Sequence, residues 1–287
     1  MYNARYESSN GHSVDLGFNA NCVFDIRGIG GVGVTFGRAQ NYADVGESVT
    51  SQSVAGSTLT INGVIFGDNI SGKKKEIRQA FAPLTRGTLK VDNKYFIDVF
   101  VKQTPTLSPV KDDGRFSVQL FAPFPFFRKI STSTYYSYSL EDVSAIIDSY
   151  ENAGDIPVPM KITITVSNNI DSGGDGSGFI SDIAISLSGE QKSINLSDCI
   201  LYHSSKLEIY RDENGMLKAI CTDADGTKFD YLRLIDSSSD LFDTPLGAQT
   251  FILRYKYYQM SDSDNADPLA CSFSIEFNEA YGGIYEI

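Results

Sequence analysis

Six residues, Gly28-Ile29-Gly30-Gly31-Val32-Gly33, match the spacing G-x-G-x-x-G. In a dinucleotide site those glycines let the backbone approach a pyrophosphate, and the last of them sits in a helix packed on a sheet. Here the chain runs on through Val34-Thr35-Phe36-Gly37, a strand-like continuation with no strand–helix–strand unit around it. The run therefore reads as a turn between strands. Acidic loops raise the question of calcium, which needs oxygen ligands at set positions and a closing Glu. Asp223-Ala224-Asp225-Gly226 lacks the third ligand position, Asp262-Ser263-Asp264 has Ala266 where a ligand would follow, and 171–175 has glycines where oxygens are needed. None carries the closing Glu, so these read as solvated turns.

Two histidines, His12 and His203, leave little material for a zinc centre or a Ser–His pair. The four cysteines, Cys22, Cys199, Cys221 and Cys271, form no C-x-x-C pair. They read as small buried hydrophobes in a reducing compartment, with a Cys199–Cys271 or Cys221–Cys271 disulfide left open. Carboxylates are too many, and too often beside Gly and Ser as turn residues are, to single out a glycosidase pair. The expectation is a protein with no catalytic, cofactor-binding or metal-ligating residues, and not an enzyme.

Positioning elements follow from composition and pattern. With 287 residues, 41% hydrophobic and 21% charged, the chain suits two domains and not a disordered segment. Sixteen Tyr and eighteen Phe favour strands. No apolar run approaches the ~20 residues of a membrane helix, and the polar start, Met1-Tyr2-Asn3-Ala4-Arg5-Tyr6-Glu7, does not read as a signal peptide. The net charge of −12 is uneven: up to Arg128 there are 14 Lys and Arg against 11 Asp and Glu, and from Lys129 onward 10 against 25. The acidic half would repel nucleic acid and anionic membrane. The one basic run, Lys73-Lys74-Lys75, reads as a solvated helix face.

Alternating β-branched and polar residues predict strands at 23–26, 32–36, 57–66, 88–91, 95–101, 115–121, 161–166, 180–187, 207–210, 216–220, 229–232, 250–255 and 272–277. Turns are predicted at Asp92-Asn93, Asn214-Gly215 and Asp225-Gly226, with longer loops over 104–114 and 171–176. One helix is expected after a cap at Asn69 or Ser71, with Ile77, Ala80, Phe81 and Leu84 on one face and Pro83 as its stop. A second, short helix is expected from Ser139-Leu140-Glu141-Asp142 to about Tyr150, closed by Asn152-Ala153-Gly154. Two prolines in Ala122-Pro123-Phe124-Pro125-Phe126-Phe127-Arg128, where the charge balance changes sign, mark a boundary between domains 1–128 and 129–287. The segment Tyr281-Gly282-Gly283-Ile284-Tyr285 has two courses open: it ends the second domain or returns to the first.

Several segments in order resemble one family. They are Arg78-Gln79-Ala80-Phe81-Ala82-Pro83-Leu84-Thr85-Arg86-Gly87-Thr88-Leu89; Val101-Lys102-Gln103-Thr104-Pro105-Thr106-Leu107-Ser108-Pro109; Phe116-Ser117-Val118-Gln119-Leu120-Phe121-Ala122-Pro123-Phe124-Pro125-Phe126-Phe127; Asn152-Ala153-Gly154-Asp155-Ile156-Pro157-Val158-Pro159; and Asp240-Leu241-Phe242-Asp243-Thr244-Pro245-Leu246-Gly247-Ala248-Gln249-Thr250. Together they are similar to the phage distal tail (Dit) proteins, the siphovirus-type tail components. The resemblance implies a mainly β chain of two domains: an N-terminal β-sandwich-like ring domain with one α-helix, and a C-terminal galectin-like β-sandwich with one short helix. It further implies a hexameric ring at the tail end, or in a phage-derived tail-like particle, assembled in the bacterial host cytoplasm. The implied partners are other copies of itself, the tail tube protein, the tape-measure protein, a tail-associated hub or lysin protein and a receptor-binding protein. Two further readings stand beside it: a carbohydrate-binding adhesin acting through the second domain, with Tyr135-Tyr136-Ser137-Tyr138 and Tyr255-Lys256-Tyr257-Tyr258 as stacking candidates, and a wall-degrading enzyme.

Overall fold

The structure, a computed structural model, describes residues 3–40, 47–139, 145–168, 178–187, 192–212, 215–239, 243–259 and 269–283. The chain divides into two compact units, residues 1–131 with 280–287, and residues 132–279.

Unit 1 contains β1 (Ala4–Ser8), β2 (Ser13–Leu16), β3 (Cys22–Arg27), β4 (Val34–Gln40), β5 (Glu47–Val54), β6 (Ser57–Ile65), α1 (Ile70–Ala80), β7 (Arg86–Val91), β8 (Tyr95–Leu107), β9 (Arg115–Ala122) and β10 (Phe127–Lys129). One antiparallel sheet runs β2-β1-β7-β8-β9-β6-β3. The period-2 alternation of its strands decides which face is buried: Phe116, Val118, Leu120 and Ala122 on β9 point inward, and the register Leu59↔Leu120, Ile61↔Val118 puts the apolar residues of β6 beside them. The end strands β2 and β3 send Val14, Leu16, Cys22 and Ile26 into the same core, so the sheet wraps around it.

Helix α1 closes that core. The Asn69 side chain accepts from the Gly72 N–H at 3.1 Å, which caps the helix. Ile77 and Ala80 are buried, and Phe81 just beyond stacks on Tyr6 with centroids 4.2 Å apart. Leu84, expected on that buried face, lies in the turn after Pro83 and is wholly exposed, because the proline ends the helix before its fourth apolar position can come round. The basic run also divides. Lys73 pairs with Glu76 at 3.1 Å and Lys75 is exposed, whereas Lys74 is buried and donates to the carbonyls of Ser108 (3.0 Å) and Val110 (2.8 Å). A buried ammonium must be hydrogen-bonded, and here it pins the loop ahead of β9. The Asp92-Asn93 turn has φ of 51° and 53°, the pair of left-handed residues a tight hairpin needs. The expected loop at Thr104-Pro105-Thr106-Leu107 is instead the end of β8, paired through Thr106↔Ser117 and Leu107↔Phe116. Register shifts on either side of Gln103 absorb the proline that lacks an N–H.

Unit 2 contains β11 (Ser133–Ser139), β12 (Ala145–Asn152), β13 (Lys161–Asn168), β14 (Gly178–Leu187), β15 (Ser193–Tyr202), β16 (Lys206–Arg211), β17 (Leu217–Thr222), β18 (Lys228–Asp230), β19 (Gly247–Gln259) and β20 (Leu269–Phe277). The sheets β11-β20-β13-β16-β17-β18 and β12-β19-β14-β15 form a sandwich. Their inner faces meet through rings, Tyr150 against Phe277 (5.8 Å) and Phe251 against Phe273 (5.5 Å). The second expected helix is corrected here: 145–152 is a strand, paired residue for residue with β19 from Ala145↔Arg254 to Asn152↔Gly247. Ile146, Tyr150 and Asn152 point inward at even spacing, a period of two that the capping signal upstream had masked. That signal at Leu140-Glu141-Asp142, the loops at 171–176 and 262–264, Asn214 and Asp240-Leu241-Phe242 lie outside the described residues.

Two of the segments that carry the family resemblance meet in this unit. Buried Asn152 donates through its amide to the carbonyls of Ile156 and Thr244 and to the Thr244 hydroxyl, each at 3.2 Å. The Thr244 hydroxyl in turn donates to the Val158 carbonyl at 3.0 Å. After β20 the chain returns to unit 1 as β21 (Ala280–Tyr281), which pairs with β10 through Phe127↔Tyr281 and Arg128↔Ala280. Tyr281 there packs edge-on against Tyr95 at 6.0 Å, and the Arg128 guanidinium lies 4.4 Å over the Phe96 ring while pairing with Asp98. Replacing Asn152 by Ala leaves several buried acceptors unpaired. Chemical denaturation of the chain should register a loss of about 2–3 kcal/mol for Asn152→Ala, confined to the transition of residues 132–279.

Candidate functional site

Among the described residues, the chemistry-bearing residues singled out in the sequence do not converge. The glycine run links β3 to β4 without a helix, and Gly28 is held at φ 90° where an added Cβ would meet the Thr58 carbonyl oxygen at 2.5 Å. Its glycines serve a close turn. His203 does meet a hydroxyl, with Nε2 2.8 Å from the Ser204 Oγ. Its Nδ1 has no hydrogen-bond partner, and the nearby Asp223 accepts instead from the Ser205 hydroxyl at 3.0 Å, so the third group that would orient a catalytic imidazole is missing. All four cysteines are free and buried. Burial pushes the thiols of Cys199 and Cys271 up to about 12 and raises those of Cys22 and Cys221. Among the described residues no group of three or more His, Cys, Asp and Glu is placed to hold a metal, and no helix is long and apolar enough to cross a membrane. A cleft between Met160, Ile162, Ile194 and Leu217 encloses about 20 Å³, room for one water molecule and not for a metabolite.

Surfaces are where the molecule is unusual. Among the described residues β4 and β5 pair only with each other, from Val34↔Val54 to Gln40↔Glu47, and join no other sheet. Val34, Phe36, Val49 and Val54 are all exposed on this ribbon. A two-stranded ribbon alone is marginal in water, and this one has no core of its own. On the outer face of the unit 1 sheet, Phe100 and Phe121 are cross-strand partners, 48% and 38% exposed. At the same end of the sheet the turn Ala82-Pro83-Leu84-Thr85 is closed by the Thr85 hydroxyl donating to the Ala82 carbonyl at 2.7 Å. It holds Leu84 at φ 61° and 100% exposed. The left-handed region costs a side-chain-bearing residue roughly 1–2 kcal/mol, and the other non-glycine residues found there are Asn, Asp and Ser. Leu84 is the one apolar residue held at positive φ among the described residues.

Unit 2 carries an aromatic ladder. Phe179 on β14 stands between Tyr258 on β19 (4.9 Å, 15° between planes) and Tyr202 on β15 (5.8 Å, 57°). Both tyrosines are exposed, and on the neighbouring rungs Lys256 pairs with Asp182 at 2.8 Å, which holds the ammonium above its usual range. Of the sequence candidates, Tyr258 joins this ladder, Tyr255 is buried in the sandwich, and Tyr135 stacks on Phe277 with its hydroxyl donating to the Glu151 carbonyl. Phe179 and Tyr202 went unseen in the sequence because only the strand register brings them beside Tyr258.

A sheet wrapped around a core under one helix, a β-sandwich after it, and a C-terminal strand returning to the first unit define a two-domain β architecture. That architecture is shared with a solved phage hub protein. The chain is similar over 96% of its length, and 99% of the other's, to the crystal structure of SPP1 Dit, a paradigm of the hub adsorption apparatus in phages that infect Gram-positive bacteria, with 12% identity and a TM-score of 0.61. Chains of the phage P2 baseplate in its activated conformation, with Ca and with Sr, are more distant: each is 10% identical over 96% of this chain and 98% of that one, with TM-scores of 0.42 and 0.41. No protein-family profile and no curated protein sequence matches the chain.

The burial of the thiols can be checked directly. Titration with a thiol-specific disulfide reagent at neutral pH should modify none of the four cysteines in the native chain and all four in denaturant. Rapid reaction of one thiol in the native chain would mark an exposed nucleophile.

Proposed function

We propose that the chain is a structural virion protein that forms a hexameric ring, the distal tail or baseplate hub that joins the tail tube to the tail-tip or host-recognition apparatus. The observation that carries this reading is the β4–β5 ribbon. Four exposed apolar side chains on a strand pair that joins no other sheet among the described residues call for a partner surface, and a second copy supplies one at every position of a closed ring. Charge supports the same arrangement. Unit 1 holds 15 Lys and Arg against 12 Asp and Glu, near enough to neutral to pack against itself, while unit 2 holds 9 against 24 and resists self-association. The partners are then the tail tube protein, the tape-measure protein, a tail-associated hub or lysin protein and a receptor-binding protein. The ring would be assembled in the host cytoplasm and carried in the virion or a tail-like particle. It would act by holding its neighbours in register and not by catalysis.

Native mass spectrometry tests this. The whole chain should give the mass of six copies, and a variant with residues 34–54 replaced by a short Gly/Ser link should give one copy with the rest of the fold intact by circular dichroism. Assembly of the shortened chain to the full mass would remove the ribbon from the account.

A second reading, carbohydrate binding by the outer domain, is favoured by the Tyr202–Phe179–Tyr258 ladder. Flat rings with hydroxyls at their edges and an ion pair alongside suit the C–H face of a sugar. If the ladder binds host wall polysaccharide, Tyr258→Ala should weaken that binding at least tenfold in a sedimentation assay. A wild-type chain that fails to bind at millimolar sugar removes this reading.

A further inference from the structure

We infer that Cys199 and Cys221 are a latent disulfide, a modification site that staples the two sheets of unit 2 together when the chain meets an oxidant. The inference stands apart from the ring reading. Both side chains point into the sandwich, Cys199 from β15 and Cys221 from β17, and both are fully buried. Their strands belong to opposite sheets. Tyr231 spans the gap: its backbone N–H donates to the Ala219 carbonyl of β17 at 2.8 Å, and its hydroxyl donates to the Ile200 carbonyl of β15 at 3.2 Å. The same hydroxyl is hydrogen-bonded with the Cys221 thiol, and Ile200 follows Cys199 directly. One phenol oxygen therefore touches one thiol and the peptide next to the other. The thiols also feel each other, since burial first and then the charge of Cys221 raise Cys199. β15 is distorted at this point. Its pairing with β14 shifts between Ser181↔Ile200 and Ile183↔Leu196, so residues 197–199 fall in a bulge, which bends a strand.

The register removes a pair that the sequence left open. Cys221, Leu207, Ile164 and Phe273 lie in one row across β17, β16, β13 and β20, with Cys271 two residues along from Phe273. Three strand spacings put Cys271 roughly 14 Å from Cys221, and a disulfide needs Cα atoms within about 7 Å. Access to the remaining pair has an evident route. The segment over the two thiols, β18 and the turn Leu232–Leu234, contains no buried residue, and such edge segments open locally at low cost. Opening bares both thiols together. One of them, as thiolate, attacks a small disulfide such as oxidised glutathione and forms a mixed disulfide; the other then displaces the bound glutathione. The two cysteines lose two electrons, the glutathione disulfide gains them, and the two thiol protons end on the two glutathione thiols released. A reducing compartment keeps the site open, and an oxidising medium closes it.

The full chain, fully reduced and then incubated natively with oxidised glutathione, tests this. Thiols titrated in denaturant should fall from four to two, and a non-reducing tryptic digest should join peptide 193–206 to peptide 219–228. The melting transition of residues 132–279 should rise by roughly 10 °C over the reduced chain. Cys199→Ala and Cys221→Ala should each abolish the link and the rise, and Cys271→Ala should keep both. Tyr231→Ala, which loosens the cover, should speed closure at least tenfold. Four thiols remaining in both the wild type and Tyr231→Ala would overturn the inference. So would a stable glutathione adduct on either cysteine, a link to Cys22 or Cys271, or a linked chain that melts no higher than the reduced one.

Discussion

A β-sheet in water must bury one of its faces, and each part of this chain meets that requirement differently. Unit 1 wraps a single sheet around its core and closes it with α1, through Ile77, Ala80 and Phe81. Unit 2 sets one sheet against another, with Tyr150 and Phe251 on one side facing Phe277 and Phe273 on the other. Among the described residues, the β4–β5 ribbon is joined to no other sheet. Its apolar residues, and the outward pair Phe100–Phe121, are among those left exposed once the two cores are complete. Read as physics, the exposed surfaces are the unfinished part of the same burial problem, and association is its ordinary solution.

The same requirement explains what the sequence disclosed. Strands with one wet face, such as β9 and β13, alternate plainly and were legible, as was α1 with Asn69 before it and Pro83 after it. The segment 145–152 was misread because a capping pattern upstream favoured a helix, while Ile146, Tyr150 and Asn152 carried a weaker period of two. β8 was cut short because Pro105 reads as a strand breaker, and only the register shifts show how the sheet tolerates it. In the ribbon the strand expected at 32–36 covers the start of β4, whereas β5 went unseen because residues 49–54 are all exposed and show no period of two. The Tyr202–Phe179–Tyr258 ladder escaped because its members are brought together by register across three strands far apart in the chain.

The reading as an assembly protein rests on how the interior is spent as well as on what is exposed. Polar groups that could do chemistry elsewhere are used here to hold backbone: Lys74 pins the segment at Ser108 and Val110, and Asn152 with Thr244 ties together two loops of the sandwich. The thiols sit deep enough to stay protonated at neutral pH. The fold is shared with SPP1 Dit at 12% identity, so the order and pairing of the strands survive nearly complete replacement of the side chains. What has to persist for the fold is the pattern of buried faces.

The most direct test of that account is amide hydrogen exchange of residues 34–54 as a function of protein concentration. A two-stranded ribbon with no partner exchanges within seconds, whereas one docked on a neighbouring copy is protected along its edge and apolar face. The account predicts fast exchange in dilute, dissociated protein and protection of at least tenfold once the chain assembles. Exchange that stays fast in an assembled sample, or protection already complete in the monomer, would contradict it.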